Sequence, residues 1–209
     1  MNFVSGKKNF LSEEIFVELG QYRHRVFVEM LGWNLICPAG NEVDQFDGPD
    51  TIYVIGWDAR GNIGAAARLL PTDRPYLLRE IFPQLMAGFP LPNSSRVWEL
   101  SRFAAVDLTG GVGRAAGQFS SRQAIGLMNE VLGVAAKHQV ERLITVSPAG
   151  MERLLDRAGF EAYPAFPPID VEGESLFACW IDVCGRPSTV RRSTLASKEI
   201  SRRQMLIVR

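Results

Sequence analysis

Residues 97–104 read VWELSRFA, a short run that combines β-forming side chains with two opposite charges. Its apolar and aromatic positions are typical of a buried strand, whereas Glu99 and Arg102 are not. A buried charge must be paired, hydrogen-bonded or shifted in pKa, because an isolated charge is costly to remove from water. The stretch therefore predicts a strand that carries part of a functional site.

The segments around this stretch show strand patterns first and then alternating strand and helix patterns. That order predicts a mixed α/β sheet with helices packed on it. The predicted strands are residues 51–58, 63–70, 97–104, 142–147 and 176–183, and the predicted helices are residues 11–31, 120–138 and 151–158, with short helical pieces at 77–85.

The first predicted helix carries a charge beside its apolar stripe. Ser12 is its predicted N-cap, and acidic residues follow in the first turn, where the helix dipole favours negative charge. Arg23 and Phe27 lie one turn apart and share a face. Residues 41–50, NEVDQFDGPD, then predict an acidic loop with turn-forming residues at its end.

Composition narrows the class of protein. Lys plus Arg number 23 and Asp plus Glu number 23, so no global charge favours binding to nucleic acid. No stretch has the length and apolar character of a signal peptide or a membrane span. We therefore expect a cytoplasmic protein with one domain over residues 1–185, followed by an arginine-rich tail, residues 186–209, that is mobile or peripheral.

Several sequence motifs match known sites poorly. GVGRAAG at residues 111–117 spaces its last glycine one residue too far for a dinucleotide-binding loop. RAAGQF at 114–119 only partly matches the pyrophosphate loop of coenzyme A-binding acetyltransferases, although backbone N–H groups ahead of Ser120 suit a phosphate. Cys37, Cys179 and Cys184 lack metal-site spacing and are predicted to be reduced structural thiols.

Charged and aromatic residues from separate segments form a recognisable pattern. It reads R-x-x-x-F-x-x-x-x-x-W, then E-x-D-x-x-D, then ARLLPT with PYLL and FP, then WELSRF. Over residues 10–183 this pattern resembles the acyl-homoserine-lactone synthases, the autoinducer synthases of bacterial quorum sensing. Eight near-invariant positions of that family fall on Arg23, Phe27, Trp33, Asp44, Asp47, Arg68, Glu99 and Arg102.

The resemblance implies a fold and a reaction. The fold is a three-layer αβα sandwich similar to the acetyltransferases, with a twisted mixed sheet whose strands splay into a V-shaped cleft. The reaction joins the amino group of S-adenosylmethionine to an acyl chain delivered by acyl carrier protein, closes the lactone ring and releases methylthioadenosine. S-adenosylmethionine is then a substrate, and neither a cofactor nor a metal is expected.

The chemistry of that reaction assigns roles to the side chains. Glu99 is the candidate base for the substrate amine, directly or through one water. Backbone N–H groups near residues 100–103 are candidate donors to the oxyanion. The expected catalytic residues are Glu99, Ser101 and Arg102. The expected S-adenosylmethionine site consists of Arg23, Phe27, Trp33, Asp44, Asp47 and Arg68. Arg23 or Arg102 suits the substrate carboxylate, and the two aromatic rings suit the sulfonium and adenine.

The acyl chain and its carrier need further surfaces. An apolar tunnel is expected between the last strands and the helix at 120–138, lined by Leu100, Phe103, Met128, Leu143, Thr145, Val146 and Ser147. A hydroxyl at Thr145 or Ser147 suits a 3-oxo group. Because carrier protein is acidic, Arg142, Arg153 and Arg157 form the expected docking patch.

Alternatives remain open at this stage. Glu99 and Arg102 also fit a structural ion pair, Arg68 fits a brace for the acidic loop as well as a substrate contact, and Trp33 fits a core position. Two other functions also fit the fold: an acetyltransferase-type enzyme that uses acyl-coenzyme A and another amine, and a ligand-binding protein without catalysis.

Overall fold

Eight strands form one mixed sheet in the computed structural model, which describes residues 1–108 and 122–183. The order across the sheet is β1-β2-β3-β4-β5-β8-β6, and β7 also pairs with β8. The strands are β1 (Asn2–Lys7), β2 (Ile52–Trp57), β3 (Ile63–Pro71), β4 (Val97–Ala105), β5 (Arg142–Pro148), β6 (Ala162–Pro164), β7 (Ile169–Val171) and β8 (Glu174–Asp182).

Helices cover both faces of this sheet. The α-helices are α1 (Glu13–Arg23), α2 (Leu77–Glu80), α3 (Arg122–Lys137) and α4 (Met151–Arg157). A π-helical segment, His24–Met30, continues α1, and 3-10 turns occupy Lys8–Phe10, Pro38–Gly40 and Pro83–Met86.

A cleft opens in the middle of the sheet. β4 and β5 are parallel and pair only from Val97 with Arg142 to Glu99 with Ile144, while the other paired strands are antiparallel. Beyond that point β4 continues to Ala105 beside β3, and β5 continues to Pro148 beside β8. The strands therefore diverge after Glu99, which confirms the expected V-shaped cleft.

The two faces of the sheet carry different cores. On one face, α3 and α4 pack on apolar side chains from the central strands to form a single large cluster that includes Leu100, Leu127 and Leu155. The other face carries two separate clusters, one under α1 and one under α2 with the 3-10 turn that follows it. This is the predicted three-layer αβα arrangement, with a gap between the apolar clusters on one side.

The predicted elements are present with shifted ends. Ser12 caps α1 by accepting a hydrogen bond from the Ile15 N–H, as expected, but the single helix predicted over residues 11–31 becomes π-helical after Arg23. Three strands, β1, β6 and β7, were not predicted from the sequence. Within residues 1–108 and 122–183, no helix is long and apolar enough to span a membrane.

Some expectations concern residues outside the described ranges. They are the glycine-rich stretch at 111–117, the RAAGQF loop with Ser120, the thiol of Cys184 and the tail at 186–209. Cys37 and Cys179, which are described, are both free thiols. Burial raises the pKa of Cys179 to about 12, as expected for a structural thiol.

α1 and the acidic loop approach each other closely at a glycine. A Cβ on Gly20 would lie 1.5 Å from the Oδ1 of Asn41, and the Gly20 carbonyl accepts a hydrogen bond from the Glu42 N–H at 3.0 Å. The missing side chain therefore lets the loop dock against the helix backbone. By contrast, a Cβ on Gly133 in α3 would meet no described heavy atom within 4 Å.

This contrast predicts opposite effects of alanine at two helical glycines. Gly133→Ala is expected to raise the free energy of unfolding by about 0.5–1 kcal/mol, because alanine loses less backbone entropy in a helix. Gly20→Ala is expected to lower it by about 1–3 kcal/mol, because the new methyl displaces Asn41 and the loop. Urea denaturation of both variants measures the difference, and an equal gain in both would contradict the docking role of Gly20.

Candidate functional site

A β-bulge in β4 brings charged side chains to one face of the sheet. The pairing of β3 with β4 shifts between Ala66 and Arg68, so that β4 contains one extra residue. Arg102 lies at this bulge with a φ of 51°, a left-handed value that is unusual for a residue with a side chain. In a regular strand Ser101 and Arg102 would point to opposite faces, but here Ser101 contacts Arg68 and Arg102 contacts the acidic loop.

The end of α1 contributes the first arginine of the site. The Arg23 guanidinium donates two hydrogen bonds to Asp47, at 2.8 and 3.1 Å, and a third to Glu42. All three of its nitrogens are therefore used, and the residue is almost fully buried. The Tyr53 hydroxyl donates to the same Asp47 carboxylate at 2.9 Å. Arg23 thus joins α1 to the acidic loop.

Two further arginines complete the cluster. Arg102 donates from Nη2 to Glu42 at 2.9 Å and to Asp44 at 3.0 Å. Arg68 donates from Nη1 to Asp44 at 2.6 Å and from Nε to the Ser101 hydroxyl at 3.0 Å. Within the described ranges, the buried Nη2 of Arg68 has no hydrogen-bond partner. This charged nitrogen is therefore a donor that the described residues leave available for another acceptor.

Pairing controls the ionisation of these groups. Burial acts to raise the pKa of Asp47, but Arg23 and Arg68 outweigh it and hold that pKa well below its usual range. The pKa of Glu42 is also lowered, because hydrogen bonds and charge from Arg102 and Arg23 outweigh its burial. Both carboxylates are therefore ionised at neutral pH.

An aromatic pair lies at the edge of the charged cluster. The rings of Phe27 and Trp33 stack with centroids 4.8 Å apart, and the Arg102 guanidinium lies 5.5 Å from the Trp33 ring. Phe27 is buried, whereas 43% of Trp33 is exposed. The π-helical segment places Phe27 here, and such segments often occur at functional sites. Trp33 therefore forms part of an accessible aromatic surface and is not a core residue.

Glu99 differs from the other carboxylates of the site. It is completely buried at the point where β4 and β5 diverge. Its Oε2 accepts from the Leu77 N–H at 2.8 Å and its Oε1 from the Leu78 N–H at 2.7 Å. In the part of the chain that the structure describes, it forms no ion pair. Burial raises its pKa to about 7, although the two amides and the nearby arginines act against this rise.

The structure decides between several of the alternatives. The ion pair between Glu99 and Arg102 does not form, because Arg102 binds the acidic loop instead. Arg68 does brace that loop through Asp44. Glu42, which bridges Arg23 and Arg102, was not among the predicted site residues. The quoted E-x-D-x-x-D spacing contained it, and that spacing was the available signal.

The residues predicted to line an acyl tunnel do not all share one face. Leu100, Met128 and Leu143 are in the cluster under α3, and Phe103 packs against it. Alternation along β5 places Thr145 and Ser147 on that same side. Val146, in contrast, packs against the cluster under α2 on the opposite face.

The predicted docking arginines are also divided. Arg142 lies 4.5 Å from the ring of Trp180, which packs against the cluster on the α2 face. Arg153 and Arg157 belong to α4, which packs on the α3 face through Leu155. The three arginines therefore do not form one continuous patch on a single face.

Comparison with known proteins agrees with this geometry. The family model described as autoinducer synthase matches residues 7–184. An acyl-homoserine-lactone synthase of Acinetobacter nosocomialis is 50% identical over 183 residues, covering 88% of this chain and 100% of the relative. Another, from Pseudomonas aeruginosa, is 36% identical over 171 residues, covering 80% of this chain and 79% of the relative.

Solved structures share the fold. TofI, in a ternary complex with an inhibitor and MTA, superposes with a TM-score of 0.75 at 41% identity, covering 88% of this chain and 92% of its own. BjaI, a CoA-dependent acyl-homoserine lactone synthase solved with SAM and isopentyl-CoA, gives 0.74 at 26% identity, with 88% and 82% covered. An acyl-CoA N-acyltransferase from Pseudomonas aeruginosa shares the fold alone, with a TM-score of 0.55 at 18% identity, covering 86% of this chain and 97% of its own.

Removing the bridging carboxylate is predicted to be far more harmful than removing an exposed one. Glu42→Ala leaves Arg23 and Arg102 short of a partner inside the protein, and we expect a loss of about 3–5 kcal/mol in unfolding free energy. Glu141→Ala breaks an exposed pair with Arg96 and is expected to cost less than about 1 kcal/mol. Chemical denaturation of both variants measures the gap, and similar small losses would show that Glu42 is dispensable.

The raised pKa of Glu99 predicts a pH-dependent stability. Its folded-state pKa of about 7 lies above the ordinary 4.5, so folding favours the protonated form. This stabilisation is fully present below about pH 4.5 and is lost as the pH rises through about 7. Wild type should therefore lose stability relative to Glu99→Gln between about pH 5 and 8, by at most about 1.4 kcal/mol per pH unit. Urea denaturation at several pH values tests this, and parallel pH profiles would refute the shift.

Proposed function

The chain belongs to the autoinducer synthase family and is an acyl-homoserine-lactone synthase, an acyltransferase, and we propose that it joins S-adenosylmethionine to an acyl chain carried by acyl carrier protein. In this proposal S-adenosylmethionine is a substrate, no cofactor takes part, and the enzyme works in the cytoplasm. One domain over residues 1–185 carries the reaction.

The observation that carries this mechanism is the state of Glu99. This carboxyl is fully buried, forms no ion pair with any residue that the structure describes, has a pKa of about 7, and lies where the two central strands separate. A general base works best when its pKa lies near the working pH. Each carboxylate oxygen has a second acceptor site beyond its amide hydrogen bond. Glu99 therefore retains acceptor capacity for a proton from the substrate ammonium.

The first step is amide formation. Glu99 takes a proton from the ammonium group, directly or through one water, and the resulting amine attacks the thioester carbonyl. The new C–N bond forms, the C–S bond breaks, and the carrier thiol leaves with a proton. Among the described strands, β4 has no partner on the β5 side beyond Glu99, so we propose that backbone N–H groups near residues 100–103 stabilise the oxyanion there.

The second step is ring closure. A carboxylate oxygen of the methionine moiety attacks the carbon bonded to the sulfonium, and methylthioadenosine leaves as a neutral thioether. This step needs no strong base, because the attacking group is already a carboxylate. The contribution of the protein is to hold the methionine moiety in a curled conformation. We assign that task to Trp33, which offers an exposed ring for the sulfonium, and to Arg102 beside it. The Nη2 of Arg68, which has no hydrogen-bond partner within residues 1–108 and 122–183, supports a further hydrogen bond to a substrate oxygen.

The remaining site residues support the substrate indirectly. All three nitrogens of Arg23 are already bonded to Glu42 and Asp47, which favours Arg102 over Arg23 for the substrate carboxylate. Asp44, which is half-buried, links Arg68 to Arg102. We propose that Arg23, Asp44 and Asp47 brace the site, while Ser101 orients Arg68.

The acyl chain is proposed to enter the cleft on the α3 face. Leu100, Phe103, Met128 and Leu143 provide apolar contacts there, and Thr145 or Ser147 provides a hydroxyl for a 3-oxo group. Val146 lies on the α2 face, so it would contact the acyl chain only from the opposite side of the sheet. Because the predicted docking arginines are on two faces, the carrier is proposed to meet either Arg142 or the α4 pair, Arg153 and Arg157.

An assay of the purified chain tests the proposal. With S-adenosylmethionine and acyl carrier proteins bearing different acyl chains, we expect release of methylthioadenosine, free carrier thiol and a lactone identifiable by mass spectrometry. Glu99→Gln should reduce single-turnover amide formation by about 10²–10⁴-fold, the usual contribution of a general base.

The control experiments separate the rivals. Acyl-coenzyme A replaces acyl carrier protein in a parallel series, because the structural relative BjaI is a CoA-dependent synthase. Product only with coenzyme A would reject the carrier-protein donor. Ligand binding without turnover would indicate a binding protein, and a normal single-turnover rate in Glu99→Gln would remove this residue from the mechanism.

A further inference from the structure

The carboxyl of Glu99 is held from outside its own strand. Two consecutive backbone N–H groups, from Leu77 and Leu78 at the start of α2, each donate to a different carboxylate oxygen at 2.8 and 2.7 Å. The side chain of Tyr76, the N-cap of α2, makes no capping hydrogen bond among the described residues. Glu99 therefore accepts the bonds that a helix cap would otherwise accept.

The segment that carries these amides is fixed at both ends. The Thr72 hydroxyl donates to the Val97 carbonyl at 2.8 Å, and the Ser94 N–H donates to the Thr72 hydroxyl at 3.1 Å. The Tyr76 hydroxyl donates to the Pro92 carbonyl at 2.7 Å. Leu78 is fully buried beneath it. Residues 72–97 thus form a closed loop whose position relative to β4 is set by these contacts.

We propose that Leu77 and Leu78 are positioning residues for catalysis, whose backbone amides hold the Glu99 carboxylate at the divergence of β4 and β5 and stabilise its ionised form. This inference rests on the proposed function of Glu99 as the base. It assigns a catalytic purpose to the loop 72–97, which contains no other member of the site.

The balance of charges around Glu99 shows why the amides matter. Burial opposes ionisation, and the Arg68 and Arg102 guanidinium groups favour it without touching the carboxylate. Burial raises the pKa of the nearby Tyr76 phenol, and the charge of Glu99 adds to this rise, but the Tyr76 hydroxyl donates to the Pro92 carbonyl. The two amides are therefore the direct contacts that stabilise the charged base, and each stabilises it as a hydrogen bond to an anion.

A proline substitution removes one amide without changing the loop sequence elsewhere. Leu77 is the first residue of α2, where proline is well tolerated. The preceding residue, Tyr76, has φ −146° and ψ 160°, the extended conformation that a following proline requires. Leu77→Pro thus removes the hydrogen bond to Oε2, and Leu77→Ala is the matched control that loses the side chain but keeps the N–H.

The test is the pH dependence of single-turnover amide formation, with methylthioadenosine release as the readout. Leu77→Pro should move the midpoint of the acidic limb upward by about one pH unit relative to Leu77→Ala, as expected for one lost hydrogen bond to a charged group. At a pH below both midpoints the proline variant should be about tenfold slower, and the two rates should converge at high pH. A uniform loss of rate with an unmoved midpoint, in a folded variant, would overturn the proposal.

Two additional measurements keep the result interpretable. If Leu77→Pro does not fold, Tyr76→Phe replaces it, since it removes only the hydroxyl that anchors the loop to Pro92; an upward shift of the midpoint supports the proposal, and an unchanged midpoint rejects it. Carbon-13 NMR of the Glu99 carboxyl, assigned with Glu99→Gln, measures its pKa without turnover. If wild type makes no lactone but NMR still shows a higher Glu99 pKa in Leu77→Pro than in Leu77→Ala, the proposed function is rejected and the role of the amides is retained.

Discussion

The pairing of three arginines with three carboxylates on one face of the sheet is the constraint on which the site depends. These groups occupy the gap between two apolar clusters, where water is excluded from most of them. A buried charge that loses its partner is strongly destabilising. The cluster therefore fixes the relative positions of α1, the acidic loop, β3 and β4, although it need not add net stability compared with an apolar core.

The same low-dielectric region gives two carboxylates opposite properties. Asp47 accepts hydrogen bonds from Arg23 and Tyr53 and is held ionised. Among the described residues, the direct partners of Glu99 are two backbone amides, and burial raises its pKa to about 7. Neighbouring acids with separated pKa values divide into structural and acid-base roles. The difference follows from the partners of each group, because both are buried carboxylates.

Regular elements were readable from the sequence because their side chains repeat with a period. The α1 stripe and the β4 run predicted correct elements, whereas β1 was missed. It is an edge strand whose residues are exposed or half-buried, and it is defined mainly by its pairing with β2. Glu99 and Arg102 are three positions apart and would face opposite sides of a regular strand, so a site that uses both requires a bulge. The partner of Arg102 was not predictable in this way: the structure shows Glu42 and not Glu99.

The site residues were predicted by type more readily than by contact. Arginines, acids and aromatic residues leave a signature in the sequence, and the predicted ones do converge. The amides of Leu77 and Leu78 leave none, since every residue except proline carries a backbone N–H. The division of the tunnel residues between two faces was readable in principle, because consecutive strand residues point to opposite faces and Val146 lies between Thr145 and Ser147. The extent of pairing between β4 and β5 was not readable, because tertiary packing sets it.

The bulge at Arg102 links folding to chemistry. A non-glycine residue at a φ of 51° is strained and persists only where surrounding contacts determine it. Here the hydrogen bonds of Arg102 to Glu42 and Asp44 supply those contacts. The extra residue turns this side chain toward Trp33 and leaves Glu99 in register with Ile144. One strand therefore presents both the proposed base and a cation to the cleft. The charges are thus arranged during folding, and the electrostatic environment is organised before any substrate binds.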